Sequence, residues 1–154
     1  MIRKLLAMVL LLAPISAWAA DAPGPNPNLT PGEVVEIQVE ALRTNDKPAR
    51  DAGIAITFSL ASPGNRRVTG PLEHFAQIVK SPAYKPMIGH RIAGYGPVLI
   101  RGDRAIRRVT IIAADGKAYE YEFQLSKDPE SGCWFTDGAI PVPDLAPVEP
   151  GNIA

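Results

Sequence analysis

RAIRRVTIIAADGKAYEYEFQLSKDPESGCWFTDGAI, residues 104–140, decides the fold class. Within it Tyr119, Tyr121, Phe123 and Leu125 alternate with Glu120, Glu122 and Gln124, the period-two pattern of a strand with one buried face. Turn residues bound three such segments, at 104–114, 118–126 and 133–140, with a turn at Asp115-Gly116 and a loop through Asp128-Pro129. Sequential strands with short connections form an antiparallel meander. A two-residue type I′ turn at Asp115-Gly116 would place Ile112 opposite Tyr119, Thr110 opposite Tyr121 and Arg108 opposite Phe123. Arg108 would then share the aromatic, helix-facing side, while Val109, Ile111, Glu120 and Glu122 form the other. One extra residue at the turn would exchange the two faces.

Upstream of this sheet the pattern changes to short helices. Thr30-Pro31-Gly32-Glu33 combines an N-cap threonine, a proline at the first helical position and a glutamate placed for a capping box. Val34, Ile37, Ala41 and Leu42 continue it as one apolar stripe to about Thr44. A second helix is expected over 48–60, then a turn through Ala61-Ser62-Pro63-Gly64-Asn65. A third opens at Thr69-Gly70-Pro71-Leu72-Glu73, carries Leu72, Phe75, Ile78 and Val79 on one side, and stops at Ser81-Pro82. Two strands near 90–95 and 97–100 flank a turn at Gly94-Tyr95-Gly96-Pro97. The fold class expected is α+β: an antiparallel sheet packed by about three N-terminal helices.

Outside that unit, Arg3 and Lys4 precede an apolar run too short to span a bilayer, and Ala17-Trp18-Ala19 places small residues where a signal peptidase reads. Residues 1–19 are therefore expected to be a signal peptide, and the protein to be exported, periplasmic or extracellular, without a stable membrane anchor. Residues 20–28 read as a flexible leader, 29–142 as one α+β domain and 143–154 as a disordered proline-rich tail. Removal of Arg3 and Lys4 with the signal leaves 14 basic against 16 acidic residues. That balance gives no support for nucleic acid as a partner. Cys133 is the only cysteine, so no intramolecular disulfide forms, and one cysteine with two distant histidines spells no zinc cluster. No cofactor motif is present.

In order along the chain, Ala41-Leu42-Arg43-Thr44-Asn45-Asp46, Phe58-Ser59-Leu60-Ala61-Ser62-Pro63, Thr69-Gly70-Pro71 with Phe75, Val79-Lys80-Ser81-Pro82-Ala83-Tyr84 and Gly132-Cys133-Trp134-Phe135-Thr136-Asp137 resemble the family called domain of unknown function 4864. The resemblance covers residues 29–142. That family looks like a branch of the nuclear-transport-factor-two-like superfamily, which implies a curved, cystatin-like sheet with helices closing a cone. Superfamily members include isomerases, dehydratases, binding modules and dimerisation domains, so the resemblance selects no activity.

An arginine on a helix-facing side needs a carboxylate, an anionic ligand or an exit to the rim. Arg108 is thus a candidate anchor for a small amphipathic or acidic ligand, in a cavity lined by Tyr119, Tyr121, Phe123, Trp134 and Phe75. This is the first expectation: a binding or scaffold module without catalysis. The second is a homodimer or protein interface through the sheet face carrying Val109, Ile111, Glu120 and Glu122. The third is an isomerase- or hydrolase-like enzyme pairing His74 or His90 with Asp137.

Overall fold

A computed structural model describes residues 22–143; the expected signal peptide, the start of the expected leader and all but the first residue of the expected tail lie outside the described residues. Four helices precede four strands: α1 (Pro31–Arg43), α2 (Ala52–Ser59), α3 (Pro63–Thr69), α4 (Leu72–Val79), then β1 (Ile92–Arg101), β2 (Arg104–Ile112), β3 (Ala118–Lys127) and β4 (Trp134–Val142). The strands form one open antiparallel sheet in the order β1-β2-β3-β4. The α+β class and the meander are as the alternation indicates.

Helix α1 begins on the expected capping box. Thr30 Oγ1 accepts from the Glu33 amide at 3.2 Å, and the Glu33 carboxylate accepts from the Thr30 amide at 2.7 Å. Two donors that the first turn leaves without helical partners are thereby satisfied. α2 crosses α1 at Gly53, where a Cβ would collide with the Ala41 carbonyl oxygen, so only glycine permits this approach. The helix count exceeds expectation because Ser62-Pro63 opens α3 rather than a turn. Ser62 Oγ accepts from the Asn65 amide at 3.2 Å and Pro63 occupies the first helical position. It is the same signature as Thr30-Pro31, on a helix of only seven residues.

The core lies between α1, α2 and one face of the sheet. Val34, Val39, Leu42, Ile54 and Leu60 meet Val109, Ile111, Tyr121, Phe123 and Leu125, all fully buried or nearly so. Each such side chain contributes about 1.5–3 kcal/mol by leaving water. The linker between α2 and α3 joins the sheet through a parallel bridge of Ala61 with Thr136. The Ser62 amide donates to the Thr136 carbonyl and the Thr136 amide to the Leu60 carbonyl, each at 2.9 Å.

Three strand expectations need correction. β1 is one strand, because its register shift between Tyr95 and Val98 absorbs Gly96-Pro97 as a bulge instead of a turn. β4 runs on to Val142, since Pro141 sits on an edge strand whose outer side needs no donor. The β2–β3 register is one residue from the expected one. Ala113 donates to the Lys117 carbonyl at 2.9 Å across a three-residue loop, Ala114-Asp115-Gly116, with Gly116 at φ +84°. The Asp115 carboxylate accepts from the Lys117 amide at 3.0 Å and fixes that loop. Ile111 therefore faces Tyr119, Val109 faces Tyr121 and Arg108 faces Glu122. Val109 and Ile111 lie in the core, and Arg108 lies on the sheet's open face, the reverse of the expected assignment.

Candidate functional site

A cavity of about 480 Å³ opens between α1, the α3–α4 arm and the β3–β4 side of the sheet. Phe75, Ile78 and Val79 of α4 form one wall, and Phe123 and Ala139 the facing one; Leu42, Ala61, Tyr84 and Met87 add to the apolar lining. Phe75 is held by its tilted contact with Phe58, ring centroids 5.1 Å apart. At the mouth Val68 is 79% exposed and Ile140 is 49% exposed, so apolar surface continues from the interior to the rim.

The inner end is polar. Gln38 is 1% exposed and Thr136 4%. Thr136 Oγ1 donates to Gln38 Oε1 at 2.7 Å, and Gln38 Nε2 donates to the Thr57 carbonyl at 3.1 Å. Asn65 Nδ2 donates to the Thr136 carbonyl at 3.1 Å and ties α3 to the same strand. Asp137 is the one carboxylate among the lining residues, and it is already engaged by Ser126 Oγ at 2.8 Å and Arg104 at 3.2 Å.

Of the residues singled out from sequence, Phe75 and Phe123 line this cavity. Tyr121 and Trp134 belong to the core. Tyr121 stacks against Tyr84, centroids 6.3 Å apart, and donates to the Ala83 carbonyl at 2.9 Å; burial pushes its phenol up to about 12. Tyr119 lines a separate cleft of about 660 Å³ with Asp46, Arg50, Asp51, Lys80 and Lys85. There the Lys80 ammonium, 2.6 Å away, holds the Asp51 carboxyl below the usual carboxylate range, with Asn45 adding a second hydrogen bond. Arg108 stands apart on the open face, bonded to Glu120 at 3.3 Å and Glu122 at 3.4 Å. Gln38 and Thr136 were not singled out. Gln38 falls on the Val34–Leu42 row of α1, and a polar residue inside an apolar stripe was the signal available.

His74 donates from Nδ1 to the Thr69 carbonyl at 3.0 Å, and buried His90 donates from Nδ1 to the Met87 carbonyl at 2.8 Å. Asp137 is hydrogen-bonded to neither. Among the described residues no cluster of three or more His, Cys, Asp or Glu is placed to hold a metal ion. No helix there is long and apolar enough to cross a membrane.

Residues 28–146 match the family model described as "Domain of unknown function (DUF4864)". No curated protein and no solved structure matches the chain.

Proposed function

The chain belongs to the DUF4864 family, whose description carries no activity, and we propose that it is a small-molecule-binding module whose ligand occupies the cavity between α4 and β4. One observation carries this. An opening of about 480 Å³ is walled by Phe75, Ile78, Val79, Phe123 and Ala139, within the size and apolar character of small-ligand sites. Arg108 has no part in this site, because the register puts it on the opposite face of the sheet. The test is titration with the uncharged fluorophore N-phenyl-1-naphthylamine. Saturable one-to-one enhancement is expected for the parent and for Arg108→Ala, and its loss for Ala139→Trp, which fills the cavity. Absence of saturable binding, or equal binding by the filled variant, defeats the proposal.

The open sheet face favours a second reading, self-association. Ile92 (62% exposed), Leu99 (63%), Ile106 (38%) and Ile140 (49%) surround the Arg108–Glu120–Glu122 cluster without a helix over them. Light scattering at high concentration tests it; a monomer unchanged by Leu99→Asp removes it. We further place the protein outside the cytoplasm on the strength of Arg3, Lys4 and Ala17-Trp18-Ala19, to be checked by N-terminal sequencing of the exported chain. Placement in the nuclear-transport-factor-two-like superfamily is proposed in the same way, supported by helices followed by one antiparallel sheet.

A further inference from the structure

The Gln38–Thr136 pair can be counted donor by donor. Gln38 Nε2 spends one N–H on the Thr57 carbonyl, and that bond to an acceptor fixes which end of the amide is nitrogen. Thr136 Oγ1 spends its hydrogen on Gln38 Oε1. One amide N–H and the hydroxyl lone pairs of Thr136 remain uncommitted, both on residues more than nine-tenths buried and both lining the cavity. A donor and an acceptor side by side match a group that is itself both, such as an alcohol hydroxyl. At this pair a carboxylate would find one donor and a repelling oxygen, and an ammonium one acceptor and a repelling N–H.

The walls point the same way. The lining residues include no lysine, arginine or histidine, and Asp137 is already paired with Arg104 and Ser126. An ion taken into this space would lose its water with no opposite charge to replace it. From these two observations, and resting on the cavity reading above, we propose that the ligand is an uncharged, largely apolar molecule bearing one hydroxyl group, held at the closed end by Gln38 Nε2 and Thr136 Oγ1. This narrows the amphipathic or acidic ligand anticipated from sequence to its neutral half.

The experiment is displacement of bound N-phenyl-1-naphthylamine near neutral pH by four probes of equal chain length: 1-octanol, 1-chlorooctane, octanoate and octylammonium. Octanol should displace at roughly one-tenth the concentration chlorooctane needs, the worth of one buried hydrogen bond. It should outdo the two ions by about a hundredfold or more. Thr136→Val, close to isosteric, should erase the advantage of octanol over chlorooctane, and Thr136→Ser should keep it. Gln38 substitutions strip a partner from the Thr57 carbonyl and Thr136→Val strips one from Gln38 Oε1, so Thr136→Ser, which keeps both bonds, is the control that separates binding from folding. Octanoate matching octanol, an octanol advantage surviving in Thr136→Val, or no displacement by any probe would each overturn the hydroxyl assignment. The cavity reading falls only if the naphthylamine does not bind saturably or binds Ala139→Trp equally.

Discussion

Arg107 and Arg108 are adjacent in sequence and meet opposite fates. The Arg107 side chain is 12% exposed; it donates to the Gly96 carbonyl at 3.0 Å, the Gly32 carbonyl at 2.9 Å and Glu36 at 2.7 Å, and lies 4.7 Å from the Tyr95 ring centroid. It pins α1 to the sheet by spanning both. Arg108 is 58% exposed and meets only two glutamates of its neighbouring strand, at 3.3 and 3.4 Å. Identical side chains thus act as an inter-element clamp on the covered face and as a solvated ion pair on the open one. Which is which depends on the length of the Ala114-Asp115-Gly116 loop, since a shift of one residue exchanges faces.

The comparison breaks most visibly at Arg107. Arg107→Ala leaves the Gly96 and Gly32 carbonyls without that donor and should cost about 3 kcal/mol, lowering the melting midpoint by roughly 10 °C. Calorimetry showing a loss no larger than that of Arg108→Ala would mean the clamp is not what holds α1. Tyr121 gives an intermediate effect on the covered face. Tyr121→Phe removes the bond to the Ala83 carbonyl and should cost about 1 kcal/mol. It also carries a pH signature. The phenol is raised to about 12 in the folded chain, so its contribution is full below the unfolded value near 10 and is lost as pH climbs from there through about 12. The parent should lose stability over that alkaline window and Tyr121→Phe should lose less; parallel profiles would contradict the assignment. Arg108→Ala should be the mildest, within about 0.5 kcal/mol, with its small effect shrinking further in high salt. A larger loss, or one insensitive to salt, would mean that the open face is covered in solution.

The acid limb tests the other cleft. Asp51 is held low by Lys80 and Asn45, so its contribution is present above the unfolded carboxylate value near 4 and is lost as pH falls through the lower folded value. Lys80→Met should therefore flatten the fall in stability below about pH 4, measured by denaturant titration at several pH values. An unchanged slope would show that this pair does not report on folding.

How far the sequence carried depends on the range of the interaction behind each feature. The Thr30 capping box, the β3 alternation and the α4 stripe are local, and each stands where the residues put it. The register failed on a single question, whether Asp115-Gly116 closes a two- or a three-residue loop; both suit Asp-Gly, and the difference is one residue's φ. Helix α3 was hidden because Pro63, Gly64 and Asn65 are turn formers that also suit a helix's first turn. Two of the five aromatics, Tyr121 and Trp134, proved to be packing rather than lining, since alternation places a side chain on a face but does not say how closely the helices cover it. The polar end of the cavity is assembled from α1 and β4, 98 positions apart, and no local pattern encodes such a meeting.

That separation has a bearing on the order in which the molecule is made. The sheet pairs each strand with its sequence neighbour, so its loops close at little entropic cost. Helix α1 leaves the ribosome before the sheet with Gln38 already in place, whereas Thr136, which both bonds Gln38 and docks the Leu60–Ser62 linker, belongs to the last of the described strands. Until β4 arrives, the first helix carries a half-satisfied amide beside exposed apolar surface, the condition in which nascent chains associate wrongly. The residue that completes the polar end of the cavity is also the one that ends this vulnerable interval.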